Sequence, residues 1–125
     1  MATQSASFPG RAAIEAYGNG GFRFAGMSHR GSILCLANSI VAWDVTAAEE
    51  LTPESLEPVL AEKELTRSLL LGTGARQIFA SSTVRAAFRE AGIALEVMDT
   101  GAACRTYNVL LGEGRLVAAA LIAVD

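Results

Sequence analysis

Aromatic side chains are scarce in this chain, 6% of its 125 residues, so its core must be built from alanine, leucine, valine and isoleucine. Charge is scarce as well. Charged residues make up 18% against 51% hydrophobic, the opposite of the balance that keeps a chain disordered. An excess of positive charge is missing: the net charge is −3 and the pI is near 5.1. That argues against nucleic acid as a partner, because neutralising phosphates needs a basic surface. There are only two cysteines, Cys35 and Cys104, and one histidine, His29. Two cysteines make no disulfide framework at this size, so free thiols in a reducing compartment are expected. A closed zinc site would need a carboxylate as well, and no C-x-x-C or H-x-x-x-H spacing occurs. The longest unbroken apolar run, residues 116–124, has nine members, whereas a membrane-spanning helix needs about twenty. Residues 1–12 hold one arginine and no apolar stretch, which fits neither a secretory signal nor a transit peptide.

What remains is a chain of the right length for one domain and too short for two. Residues 1–12, rich in Ser, Ala and Gly, read as a loose arm, and residues 13–125 as a single domain. The first third is β-rich. Short extended segments at 14–17, 22–24, 27–30, 32–36 and 39–45 are separated by glycine-containing turns, Gly18-Asn19-Gly20-Gly21 among them. After Val45 the rhythm changes to alternating helix and strand. Thr52-Pro53-Glu54 is a helix start, with Leu51 and Leu56 as a hydrophobic staple. A strand at 68–71 stops at Gly72-Thr73-Gly74. A helix from Ser81 or Ser82 carries Val84, Ala87, Phe88 and Ala91 on one face and ends at Gly92. A strand at 93–98 leads into Asp99-Thr100 and a helix over 100–111, and the last strand covers 115–124. The last strand is apolar at odd and even positions alike, as when both faces are covered. The pattern predicts an α/β layer architecture with right-handed crossovers and an added β element from the first third.

Polar chemistry is concentrated at two places. Gly72-Thr73-Gly74 follows a strand, and such a loop serves either as a sharp turn or as an anion nest of backbone amides. Gln77 stands where a dinucleotide fingerprint would need its third glycine. Asp99 and Thr100, with Arg105, Thr106, Tyr107 and Asn108, form the densest polar group in an apolar neighbourhood. Strand ends carrying both groups would share the carboxyl edge of an α/β sheet, where ligands commonly bind. The same residues would equally serve as caps, a core aromatic and a structural bridge between Arg105 and an acid such as Asp99 or Glu113. Cys104 lies near a helix start without a histidine beside it and reads as a buried, inert thiol. No G-x-S-x-G, P-loop or paired-carboxylate constellation occurs, so the reading leans away from an enzyme.

The run M-D-T-G-A-A-C-R-T-Y-N-V-L, with L-L-L-G-T-G before it and G-E-G-R-L-V-A-A-A-L-I after it, resembles a family of small uncharacterised α/β domains. That family is found in archaea, bacteria and mitochondria and includes a mitochondrial assembly factor of NADH:ubiquinone oxidoreductase, respiratory complex I. F-R-F-A-G-M-S-H-R-G-S-I-L and W-D-V fit its bacterial branch. The resemblance implies a three-layer fold: a central mixed sheet flanked by helices, an extra N-terminal β element, and an antiparallel last strand. It implies no established activity and no cofactor. Its recurring positions are Gly72, Thr73, Gly74, Asp99, Thr100, Arg105, Thr106, Tyr107 and Asn108, here candidate binding residues. The implied partners are proteins, respiratory-complex subunits or membrane-protein biogenesis factors, and the implied location is the cytoplasm or the periphery of the inner membrane. The rival expectation is a binder of a small molecule or anion, or an enzyme, using the 72–74 loop and Arg105.

Overall fold

The computed structural model describes residues 7–125. Ser7–Phe8 (β1) is followed by Ile14–Gly18 (β2), Gly21–Phe24 (β3), Met27–Arg30 (β4), Ser32–Cys35 (β5) and Ile40–Trp43 (β6). The second part runs Glu57–Leu60 (α1), Ser68–Gly72 (β7), Ser82–Ala91 (α2), Ala94–Met98 (β8), Thr100–Gly112 (α3) and Val117–Leu121 (β9). Six strands form one sheet in the order β1-β6-β5-β9-β7-β8, and β2-β3-β4 form a separate antiparallel sheet. The arm expected over 1–12 falls partly outside the described residues, at 1–6. Ser7 and Phe8 are paired with Val41 and Ile40, and Phe8 meets Phe24 edge to face.

The last strand corrects one expectation. β9 runs parallel to β7 and antiparallel only to β5, so it joins a parallel trio to an antiparallel one. The antiparallel direction implied by the resemblance holds for one of its two neighbours. The alternation of helix and strand after Val45 points to the other. The strand is also shorter than the 115–124 read from the sequence, because only Val117–Leu121 is paired, with β7 along its whole length and with β5 at Ala119, Ala120 and Leu121.

Both faces of the sheet are covered. β9 sends Ala118 and Ala120 to one core and Val117, Ala119 and Leu121 to the other; β7 likewise divides Leu69 and Leu71 from Leu70. The first core is closed by Val84 and Phe88 of α2 and by Leu56 and Val59 of the 45–60 segment. The second is closed by Ala103, Cys104 and Tyr107 of α3 and by Phe22 and Phe24 of β3. The crossover from β7 to β8 moves one way along the sheet, and that from β8 to β9 moves back past β7. Two crossovers of one hand and opposite direction put α2 and α3 on opposite faces. This is a three-layer α/β fold with a central mixed sheet and an extra β element.

Local signals account for most boundaries. Ser81 accepts the Val84 N–H at 3.2 Å, and Gly92 ends α2 at φ 75°. Asp99 accepts the Ala102 N–H at 2.9 Å and opens α3. The start read at Thr52 is real, since Thr52 Oγ1 accepts the Ser55 N–H at 3.1 Å. The chain there makes a 3-10 turn at Glu54–Leu56 before the single turn of α1, which contains Pro58. Pro58 has no N–H to donate to the Glu54 carbonyl, so the 3-10 turn and α1 do not merge into one helix.

Candidate functional site

The carboxyl ends of β7, β8 and β9 are joined by Thr100. Its side chain is buried; Oγ1 donates to the Ile122 carbonyl at 2.7 Å and accepts the Gly74 N–H at 3.0 Å. The Thr100 N–H in turn donates to the Gly74 carbonyl at 2.8 Å. Gly72 permits the approach: a Cβ there would stand 2.9 Å from the Thr100 Cα, closer than real side chains come. Thr73 is buried as well. Its hydroxyl donates to the Arg76 carbonyl at 2.6 Å and accepts the Ile78 N–H at 3.0 Å, while its N–H goes to the Met98 carbonyl. The Thr73 and Gly74 amides that would form an anion nest are therefore engaged within the protein.

The remaining candidates lie along α3 on different faces. Asn108 reaches back to β2, where its amide accepts the Ile14 N–H at 2.8 Å and donates to the Ile14 carbonyl at 2.9 Å. One asparagine thus satisfies both main-chain groups of a residue on the small sheet. Tyr107 is buried, with Cys35 and Arg11 as the polar neighbours of its hydroxyl, which has no partner at good hydrogen-bond geometry among the described residues. Burial holds its ionisation above the usual tyrosine range, and does the same for Cys35. The Cys104 thiol is pushed up to about 12, chiefly by burial, so both cysteines stay protonated, free and unreactive near neutral pH. Thr106 is half-buried. Arg105 is exposed, and its only polar contact among the described residues is a long one, Nη1 to Tyr17 Oη at 3.5 Å. The acids proposed for it are occupied elsewhere: Asp99 caps α3, and Glu113 pairs with Arg115 at 3.2 Å.

The nearest hollow at this sheet edge, about 530 Å³, is bordered by Thr73, Gly74, Arg76 and Ile78, by residues 46–49 and by residues 122–125. Asp99, Arg105 and Asn108 do not border it. Thr73, Gly74, Asp99 and Thr100 are brought together; Arg105 belongs to a different surface. Among the described residues no cluster of three His, Cys, Asp or Glu side chains is placed to hold a metal.

The feature that the sequence reading missed is what the 72–74 loop carries. Between β7 and α2 the chain projects Phe79, 87% exposed, with Ile78 half-exposed beside it. The loop beneath is braced by both Thr73 hydroxyl bonds and by Gln77, whose amide donates to the Val97 carbonyl of β8 at 3.2 Å. An apolar pair standing between a Gly-Thr-Gly stop and a serine cap was the available signal.

Fold and site define a three-layer α/β domain whose polar cluster ties strand ends together and presents an apolar loop. The chain belongs to the family described as "Protein of unknown function (DUF498/DUF598)", whose model matches residues 14–122. It is 37% identical over 109 residues to human NADH dehydrogenase [ubiquinone] 1 alpha subcomplex assembly factor 3, covering 87% of this chain and 59% of that protein. The chain thus spans about six tenths of the length of that relative. An uncharacterised protein of Rhodobacter capsulatus is 37% identical over 122 residues, 98% of this chain and 93% of its own. The crystal structure of a protein described as an outer membrane protein from Bartonella henselae superposes with a TM-score of 0.91 at 50% identity, covering 94% of this chain and 99% of that one.

Proposed function

We propose that this protein is a non-enzymatic accessory factor that docks on protein partners during assembly of respiratory complex I or biogenesis of membrane proteins. The exposed Phe79 on its braced loop carries the reading. A phenylalanine held in water forgoes the roughly 2 kcal/mol that its burial would contribute, and aromatic side chains surrounded by a fixed frame are the usual anchors of protein interfaces. The kinship with a complex I assembly factor supports the choice of partner class. In this reading Gly72, Thr73, Gly74, Asp99 and Thr100 serve binding indirectly, by holding the loop. Tyr107 in the core and Asn108 on Ile14 keep α3 and the small sheet in place, while Thr106 and the exposed Arg105 lie beside a second polar surface. Affinity capture from native membranes tests the proposal, with the wild-type chain and Phe79→Ser as parallel baits. Enrichment of respiratory-complex subunits or biogenesis factors by wild type and its loss in Phe79→Ser is the expected result. Equal recovery by both baits, or none above a bait-free control, overturns it.

A further inference from the structure

A different surface carries the second inference. The three-stranded sheet has a hollow of about 460 Å³ lined by Tyr17, Phe22, Arg23, Ser28, His29 and Arg30. Three of these side chains are basic or ionisable to a cation and none is acidic, in a protein whose net charge is −3. Glu15 pairs with Arg23 at 3.5 Å, and Arg23 also donates to Ser28 Oγ at 3.1 Å. Arg30 has no carboxylate within salt-bridge distance among the described residues, and neither has Arg105, which reaches the rim of the hollow through Tyr17. Glu15 and the helix-capping Asp99 apart, the acids lie mostly elsewhere: residues 44–64 hold seven of the chain's thirteen, namely Asp44, Glu49, Glu50, Glu54, Glu57, Glu62 and Glu64. Charge is segregated, and the cations around β4 are left for something else.

His29 and Arg30 also form one wall of a neighbouring cleft of about 840 Å³, whose lining includes Leu34, Val41, Trp43 and Pro58, with Asp44 and Glu54 on it too. A free phosphate has no use for an apolar cleft, and a flat bilayer surface cannot enter two adjoining hollows. An extended peptide can use both. Its carboxylate would sit among the guanidinium groups, and an apolar neighbour would sit against Trp43 and Pro58. Asp44 and Glu54 would repel the acidic end and so fix the orientation. We infer that the surface formed by β2, β3 and β4 with the start of α3 binds an acidic segment of a protein partner, with Arg30 and Arg105 as its principal cations. The site shares no residue with the Phe79 loop and stands whether or not that loop binds.

Fluorescence anisotropy on the full chain provides the test, using a dye-labelled panel of short peptides that alternate Glu with apolar residues and a matching panel with Gln for Glu. Inorganic phosphate and phosphatidylglycerol vesicles form two further arms. Glu peptides should bind saturably and their Gln counterparts should not. Arg30→Glu with Arg105→Glu should weaken binding about tenfold or more, and added salt should weaken it in wild type, as expected for exposed charges. Phe79→Ser should bind the peptides like wild type, which separates this site from the proposed docking loop. Both arginines are exposed, so a thermal melt distinguishes lost binding from lost folding. Equal binding of Glu and Gln peptides, no saturable binding by either panel, or indifference to the arginine changes overturns the inference. Vesicle binding lost in the arginine variant without peptide binding also overturns it, in favour of a membrane surface.

Discussion

Thr100 shows how much a single hydroxyl holds at the residue scale. It serves the loop after β7 and the chain after β9 from the first residue of α3, in a buried position. Thr100→Val keeps the shape but leaves the Gly74 N–H and Ile122 carbonyl without partners, at a cost of about 3 kcal/mol. Thr100→Ser keeps the hydroxyl and should cost about 1 kcal/mol for the lost methyl. Urea denaturation of the two variants should separate them, and equal losses would show that the hydroxyl contributes little. Arg105 is the contrasting case. The sequence admits a structural bridge from it to Asp99 or Glu113, but both acids have other partners. Arg105→Met should therefore change unfolding free energy by less than about 1 kcal/mol, as for an exposed substitution. A loss near 3 kcal/mol would mean that the side chain holds the fold.

Elements were legible where their signals are local. Ser81, Asp99 and Gly92 mark helix ends through contacts within a few residues, so the sequence locates α2 and α3 almost to the residue. Long-range partners left no such trace. Nothing near Ser7 and Phe8 says that they pair with β6, and nothing near Thr100 says that its hydroxyl meets residues 26 and 22 positions away. Phe79 was illegible for a related reason: its apolar character argues for burial, and only the fold shows that the loop leaves it outside. The docking of the small sheet is likewise a long-range matter, made by Phe22 and Phe24 in the core and by the two bonds between Asn108 and Ile14, 94 positions apart. Asn108→Ala leaves both main-chain groups of Ile14 unpaired and should cost about 2 kcal/mol. Amide hydrogen exchange should speed up in β2 and β3 before it does in β7 and β9. Uniform acceleration through both sheets would show that they do not open separately.

The two sheets and α3 meet over a core that contains Cys35, Cys104 and Tyr107, so their ionisation is linked to unfolding of the whole molecule. Both thiols are free, and treatment with a reductant should leave the melting temperature unchanged. In the unfolded chain a thiol ionises near pH 8.5. In the folded chain burial keeps Cys104 protonated up to about 12, and raises Cys35 as well. Above the unfolded value the native state therefore binds more protons than the unfolded state, and stability must fall as pH rises. The slope approaches about 1.4 kcal/mol per pH unit for each thiol. Below about pH 8 neither thiol contributes any dependence, because both states are protonated. Denaturant midpoints for wild type should thus be level near neutrality and drop between about pH 8.5 and pH 10, before the ionisation of Tyr107 in the unfolded chain adds to the fall. Replacing both cysteines with alanine lowers stability at neutral pH by opening space in the core, yet it should flatten the alkaline drop. If the double variant loses stability with the same slope as wild type, the alkaline sensitivity lies elsewhere, and the buried thiols are not what links this core to pH.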